Sequence, residues 1–298
     1  MIYTVTFNPA LDYLMWAPPI KEGKTNRSVR EEIHYGGKGV NVSLVLRALG
    51  AETAALGFVA GFTGAALREA LEAEGVLCRF VTLKAGMTRI NVKLKTDAET
   101  EINARGPEVS PEELGALFAE VDRIGEGDTI VLAGSVPGTV PHDVYCRMLE
   151  RLSGKNVRAV VDAEGDVLLS TLAYRPFLIK PNKDELSALV GRELQTEEDV
   201  VSSARLLQEK GAKNVLVSLG AEGAILLAED GSVYTVSPHA ITPVNSVGAG
   251  DSMVAGFLAG YEKGPEYALK LGNAAGAATA ATLHLATGED VSRLLAQA

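Results

Sequence analysis

Apolar and polar positions along this chain follow two periods in turn. Short runs rich in Val, Ile and Leu at 2–7, 53–59, 129–132, 157–161, 177–179 and 215–218 read as strands. Between them lie helical patterns such as 40–49, stopped by Gly50, and 64–74, stopped by Gly75. Ser110-Pro111-Glu112-Glu113 supplies an N-cap, a proline at the first helical position and a glutamate at the third, and Thr196 with Asp199 starts another helix in the same way. Short apolar strands alternating with helices predict an α/β fold, a mostly parallel sheet covered on both faces. In such a sheet ligands sit at the carboxyl ends of the strands.

Two segments, about 12–35 and 88–104, break the alternation. Residues 89–95 alternate apolar and polar positions with period two, and Thr96-Asp97 begins a turn towards a second β-like run at 100–103. The pattern predicts a small, half-exposed sheet beside the main one. Its apolar face needs cover, for which Leu14, Met15 and Trp16 are candidates. With no repeat, low-complexity tract or flexible linker in view, residues 1–298 read as one domain.

Composition narrows the function classes. An apolar fraction of 47% with 22% charge suits a globular chain rather than a disordered one. No run of about 18 apolar residues predicts a membrane span, and the stretch 274–286, mostly Ala, Gly and Thr, suits close helix packing. The first residues lack the basic start and apolar core of a signal peptide. With only two cysteines, Cys78 and Cys146, in apolar sequence surroundings, the expectation is buried thiols in a cytoplasmic protein. The four histidines are scattered along the sequence without metal-ligand spacing, which argues against zinc. A net charge of −10 disfavours nucleic acid as a partner. Residues 1–105 carry 13 Lys/Arg against 11 Asp/Glu, and the remainder 15 against 27, so positive charge is concentrated where an anionic substrate would be held.

Chemistry concentrates in four segments. In 244–257 the turn Gly248-Ala249-Gly250 opens into an apolar helix with Asp251 at the junction. Unpaired N–H groups at a helix start attract anions. A fixed carboxylate there would repel a resting phosphate, but it suits a site where Asp251 takes a proton while the N–H groups hold charge in motion. The second segment, Gly36-Gly37-Lys38-Gly39-Val40-Asn41, also passes from strand to helix and lacks the ending of a P-loop. Taken singly, either glycine cluster is also explained as a tight turn. In the third, Lys180-Pro181-Asn182-Lys183-Asp184-Glu185, Asn182 and Glu185 have the spacing of a capping box and equally the oxygens to hold a hydrated magnesium ion. The fourth, 218–223, is a glycine-containing turn.

These segments, with Asn8–Asp12, Thr88–Asn91 and Gly134–Pro137, occur in the order that characterises the PfkB group of ribokinase-like carbohydrate kinases, and the chain resembles that family over essentially its full length. Residues 8–12 and 88–93 look most like the fructose-1-phosphate kinase branch, with tagatose-6-phosphate kinases and 6-phosphofructokinases as neighbours. The resemblance implies a ribokinase-like fold with a small β-sheet lid, dimerisation through that lid, and phosphorylation of a sugar phosphate by ATP with Mg²⁺. It implies Asp251 as catalytic base and Gly248, Ala249 and Gly250 as an anion hole. Ser218, Gly220 and Gly223 would follow the nucleotide, with Asn273 near the adenine, and Asn182 and Glu185 would organise the metal. Asp12, Gly37, Lys38, Asn41 and Arg89 would contact the sugar phosphate, with Lys24, Arg27 and Arg105 as further basic candidates. The competing readings are a tagatose-6-phosphate kinase or 6-phosphofructokinase of the same family and, more distantly, a sugar-phosphate sensor that kept the fold without catalysis.

Overall fold

A computed structural model describes residues 1–297. The chain begins with β1 (Ile2–Thr6), β2 (Ala10–Trp16), β3 (Arg30–Gly36) and α1 (Lys38–Ala48). It continues through β4 (Thr53–Val59), α2 (Gly61–Ala73), β5 (Leu77–Thr82), β6 (Arg89–Lys95), β7 (Glu99–Ile102) and α3 (Pro111–Asp122). Strands and helices then alternate: β8 (Thr129–Ala133), α4 (Val144–Leu152), β9 (Arg158–Asp162), α5 (Gly165–Thr171), β10 (Leu178–Ile179), α6 (Lys183–Val190) and α7 (Glu197–Glu209). The last third holds β11 (Asn214–Ser218), β12 (Ala224–Leu227), β13 (Val233–Val236), α8 (Ala249–Gly260), α9 (Pro265–Ala280) and α10 (Gly288–Leu295).

Nine strands form one sheet in the order β13-β12-β11-β10-β9-β8-β1-β4-β5. Neighbours from β5 through to β11 pair in parallel, whereas β12 and β13 add antiparallel at one edge. The chain leaves β1 towards β4 and β5, then returns to place β8 on the other side of β1. That reversal creates the crevice where open α/β sheets bind ligands. The strand runs predicted from apolar pattern correspond to observed strands. β5 and β13, the two edges, fall outside those runs because they are half-exposed and so lack a continuous apolar signature.

Helices cover both faces. Residues of α3, α4, α6 and α7 pack into the core on one side, and those of α1, α8, α9 and α10 on the other. The boxes predicted at Ser110/Glu113 and Thr196/Asp199 are formed. Small residues such as Gly256, Gly272 and Gly276 let α8 and α9 approach closely, as the composition of 274–286 suggested. Among the described residues no helix is long and apolar enough to cross a membrane.

The second sheet, ordered β3-β2-β6-β7, occupies the segments that broke the alternation. Its cover differs from the expectation in detail. Leu11, Tyr35 and Ile90 pack with Val40, Leu67, Leu71 and Phe80, and Leu14 is buried as well. Met15 and Trp16 stay half-buried, with the Arg30 guanidinium 4.4 Å from the Trp16 ring centre. Both cysteines are half-buried rather than enclosed, a correction to the sequence expectation: apolar neighbours in sequence do not fix which face of an element a side chain takes. Burial pushes the Cys78 thiol up to about 11.

Candidate active site

The carboxyl ends of five adjacent strands meet at one cavity of about 740 Å³. Asn8 follows β1, Gly134 follows β8, Asp162 ends β9, Lys180 follows β10 and Ser218 ends β11, and all five line it. The small sheet contributes Asp12, Arg89 and Asn91; α1 contributes Lys38 and Asn41; the start of α8 contributes Gly250 and Asp251. The cavity is of the size that holds small-molecule ligands.

Helix α8 starts from Gly248, whose φ of 81° is open to glycine at little cost. Asp251 lies in the first turn and is buried, as is its partner Asn41. Asn41 Nδ2 donates to Asp251 Oδ2 at 2.8 Å, joining positions 210 residues apart. Helix α1 is held in place for this contact: the N–H of Val40 donates to Thr6 Oγ1 at 3.0 Å, and a Cβ on Gly39 would lie 2.7 Å from the Val5 carbonyl oxygen. Close packing of α1 on β1 therefore sets where Asn41 points.

Around Asp251 the charges alternate. Lys180 Nζ is 3.4 Å from Asp162 Oδ1, with both side chains buried, while Lys38 Nζ is 3.9 Å from both Asp162 and Glu164. Burial, and then Asp162, push the Asp251 carboxyl up to about 6, against the opposing pull of Asn41, Lys180 and Lys38. Burial drags Lys180 down, yet Asp162, Asp251 and Glu185 together hold it above its ordinary value, so its charge persists. The absent side chain of Gly250 leaves room for this ammonium, 3.2 Å from where a Cβ would stand. Asp162 Oδ2 is buried with no hydrogen-bond partner, an unused acceptor in the cavity lining.

On the small-sheet side, Asn91 Nδ2 donates to Asp12 Oδ1 at 2.7 Å. Arg89 donates from Nε to the Asn8 carbonyl at 3.1 Å, and Asn8 in turn donates to the Arg105 carbonyl at 2.8 Å, which ties the segment after β7 over the cleft. Burial lowers the Arg89 guanidinium from its ordinary value, partly offset by Asp12. Nη1 also donates to the Ala104 carbonyl at 3.4 Å, and the other donors of the five-proton fork are available to an anion.

Most residues singled out from the sequence thus converge: Asp12, Gly37, Lys38, Asn41, Arg89, Asn182, Glu185, Ser218, Gly248, Gly250 and Asp251 line this cavity, and Ala249 is the first residue of α8 beside it. Gly220, Gly223 and Asn273 do not line it. Gly223 closes the turn between β11 and β12, and Asn273 is buried in α9, its amide donating to the Ser237 carbonyl at 3.0 Å. Arg105 lines the cavity; Lys24 and Arg27 do not. The capping box at Asn182 and Glu185 is fully formed, with both hydrogen bonds at 2.8 Å. Sequence reasoning missed Asp162, the charge of Lys180, and Asn91. Asp162 directly follows the apolar run 157–161, so the rule of carboxyl strand ends was the signal that pointed to it.

Residues 5–290 match the model of the pfkB family carbohydrate kinases. The chain is 44% identical to a 1-phosphofructokinase of Bacillus subtilis, over 99% of this chain and 97% of that one. It is 35% identical to a D-tagatose-1-phosphate kinase of Bacillus licheniformis, over 99% and 96%. Its structure is similar to phosphofructokinase-2 from Escherichia coli in complex with substrates and products, with a TM-score of 0.92 and 30% identity over 99% and 98% of the two chains. A clustered set of strand-end charges, a buried carboxylate at a glycine-led helix start, and a match spanning nearly the whole chain lead to one conclusion: this protein belongs to the pfkB family of carbohydrate kinases.

Proposed function

We propose that this enzyme transfers the γ-phosphoryl group of ATP to the 6-hydroxyl of D-fructose 1-phosphate, giving fructose 1,6-bisphosphate. The observation that carries the reading is Asp251. It is a buried carboxylate with its affinity for a proton raised to about 6, at the N-terminus of α8, in a cavity walled by Arg89, Lys38 and Lys180. The similarity to the Bacillus subtilis 1-phosphofructokinase supports the choice of sugar.

In this scheme Arg89 and Lys38 bind the 1-phosphate with charge-assisted hydrogen bonds, and Asp12 and Asn41 meet the sugar hydroxyls. Gly37 keeps the backbone open to them. Asp251 accepts the proton of the attacking hydroxyl, an effect of about 10²–10⁴-fold. The N–H groups of Gly248, Ala249 and Gly250 hold the charge of the transferring phosphoryl without reorganising, and phosphoryl transfer depends mainly on such positioning and neutralisation. Ser218, at the end of β11, faces the nucleotide, and Gly220 and Gly223 shape the turn beneath it. Asn273 acts at one remove, by fixing the Ser237 carbonyl in the segment bordering the adenine site.

The donor set suits Mg²⁺, which keeps most of its water and takes few direct protein ligands. Asn182 and Glu185 spend one oxygen each on the capping box, which leaves Glu185 Oε1 for a hydrated ion, and the unpartnered Asp162 Oδ2 adds a nearby acceptor. When bound, the ion would neutralise phosphate charge. The small sheet, 12–35 with 88–104, serves as a lid that excludes water from the closed cleft. Its exposed Ile33 and Ile102, at 54% and 60%, support a homodimer formed through the lid. Soluble substrates and two free cysteines suit a cytoplasmic setting.

A second reading is favoured by the D-tagatose-1-phosphate kinase relative: the 4-epimer of the same sugar phosphate. Initial rates of ADP release with fructose 1-phosphate, tagatose 1-phosphate, tagatose 6-phosphate and fructose 6-phosphate decide the matter. The highest kcat/KM is expected for fructose 1-phosphate. A higher value for any other sugar refutes the substrate assignment, and binding without ADP release makes the chain a sensor.

A further inference from the structure

Outside the active site, the tertiary structure assembles one group that the sequence keeps apart. Glu32 and His34, two residues apart on β3, share a face of the strand. His284, from the segment between α9 and α10, packs against His34 with ring centres 4.6 Å apart and planes tilted by 56°. Glu32 Oε2 and His34 Nε2 are 3.1 Å apart, and one donor atom from each of the three residues lies within 4.8 Å of the others. The scattered histidines of the sequence thus include a spatial pair.

We propose that Glu32, His34 and His284 form a binding site for a divalent transition-metal ion of the zinc class, which fastens strand β3 to the body of the enzyme. Two imidazoles and one carboxylate are a donor set suited to such ions, with a fourth position left for water. Ligand atoms about 2.1 Å from a tetrahedral ion lie about 3.4 Å from each other, so the Glu32–His34 pair already has the required separation. His284 closes the remaining gap from an exposed segment that contains no helix or strand. Arg30 grips the other oxygen of Glu32, the kind of outer contact that orients a ligating carboxylate.

The location gives the site its consequence. The three residues line a second cavity whose wall also includes Asp12 and Asn41, which line the active-site cavity too. His34 pairs in register with Asp12 across β2 and β3. Next to His284, the Leu285 side chain abuts Gly248, 2.7 Å from where a Cβ would stand. An ion here would join β3, the partner of the strand that carries Asp12, to the segment that buttresses the start of α8.

The test uses the full-length protein stripped of metal with a chelator and titrated with Co²⁺ in excess Mg²⁺, which occupies oxygen-only sites. One Co²⁺ per chain is expected, with the intense visible absorption of a tetrahedral nitrogen-containing site, displaced by one equivalent of Zn²⁺. His284→Ala, in an exposed segment, should weaken binding by at least ~10²-fold, as should Glu32→Gln in a second variant. Zn²⁺ should raise the unfolding temperature of the parent protein and not that of His284→Ala. Equal Co²⁺ affinity in the parent and His284→Ala, or no tetrahedral spectrum in the parent, would overturn the site whatever the sugar specificity proves to be.

Discussion

Replacing Asn41 by leucine tests the electrostatics of the proposed base directly. Leucine has nearly the shape of asparagine, so it keeps water out, but it cannot donate to Asp251. The lost bond is 2.8 Å long, charge-assisted and buried at both ends. Such bonds contribute about 1.5–3 kcal/mol, and each pH unit of displaced ionisation corresponds to about 1.4 kcal/mol. Because Asn41 favours the ionised carboxylate, its removal should raise the value of about 6 by about one to two pH units. Asp251 works as a base only when ionised, so activity falls as pH drops through that value, and the acid limb should move upward in the variant. The assay is kcat/KM for the sugar phosphate, from initial rates of ADP release between about pH 5 and 9. The second ionisation of the substrate phosphate also lies near about 6, but it is common to both enzymes and cancels in the comparison. Loss of sugar contacts by Asn41 lowers the height of the profile without moving its limb. An unmoved limb in a correctly folded Asn41→Leu protein would refute Asp251 as the titrating base.

Asp251→Asn should lower kcat by at least ~10²-fold with little change in sugar-phosphate affinity, read by single-turnover kinetics and calorimetry. The same variant should be more stable. The carboxyl is raised from 3.8 to about 6 in the folded protein, so its charge costs stability that grows as pH rises through that window. At pH above about 7 the gain should approach ~3 kcal/mol in chemical denaturation, and it should vanish below about pH 4. Arg89→Ala should raise KM for the sugar phosphate by at least ~10-fold and leave KM for ATP nearly unchanged; equal loss for both substrates would contradict its proposed place. Gly39→Ala, which drives a Cβ onto the Val5 carbonyl and Thr6 Oγ1, should cost about 1–3 kcal/mol. Gly115→Ala, on an open helix face, should instead stabilise by about 0.5–1 kcal/mol.

Local physics made much of this fold readable. Strands β1, β4, β8, β9 and β11 are buried on both faces, so each carries a continuous apolar run. The capping boxes at Ser110 and Thr196 operate within four residues and need no distant partner. The small sheet announced itself through period-two alternation in 89–95, because one of its faces is open. The edge strands β5 and β13 were quieter, since half-exposure leaves no such run.

The sequence by itself determined the order of elements, the glycine-led helix starts and the carboxylate at the head of α8, all set by backbone geometry and near neighbours. Only the tertiary structure decided that Asp251 meets Asn41 from 210 residues away, that Lys180 and Asp162 form a buried pair beside it, and that His34 faces His284. Ionisation and metal affinity depend on burial and on charges within a few ångströms. Those neighbours come from separate strand ends, and strand order, not chain order, brings them together.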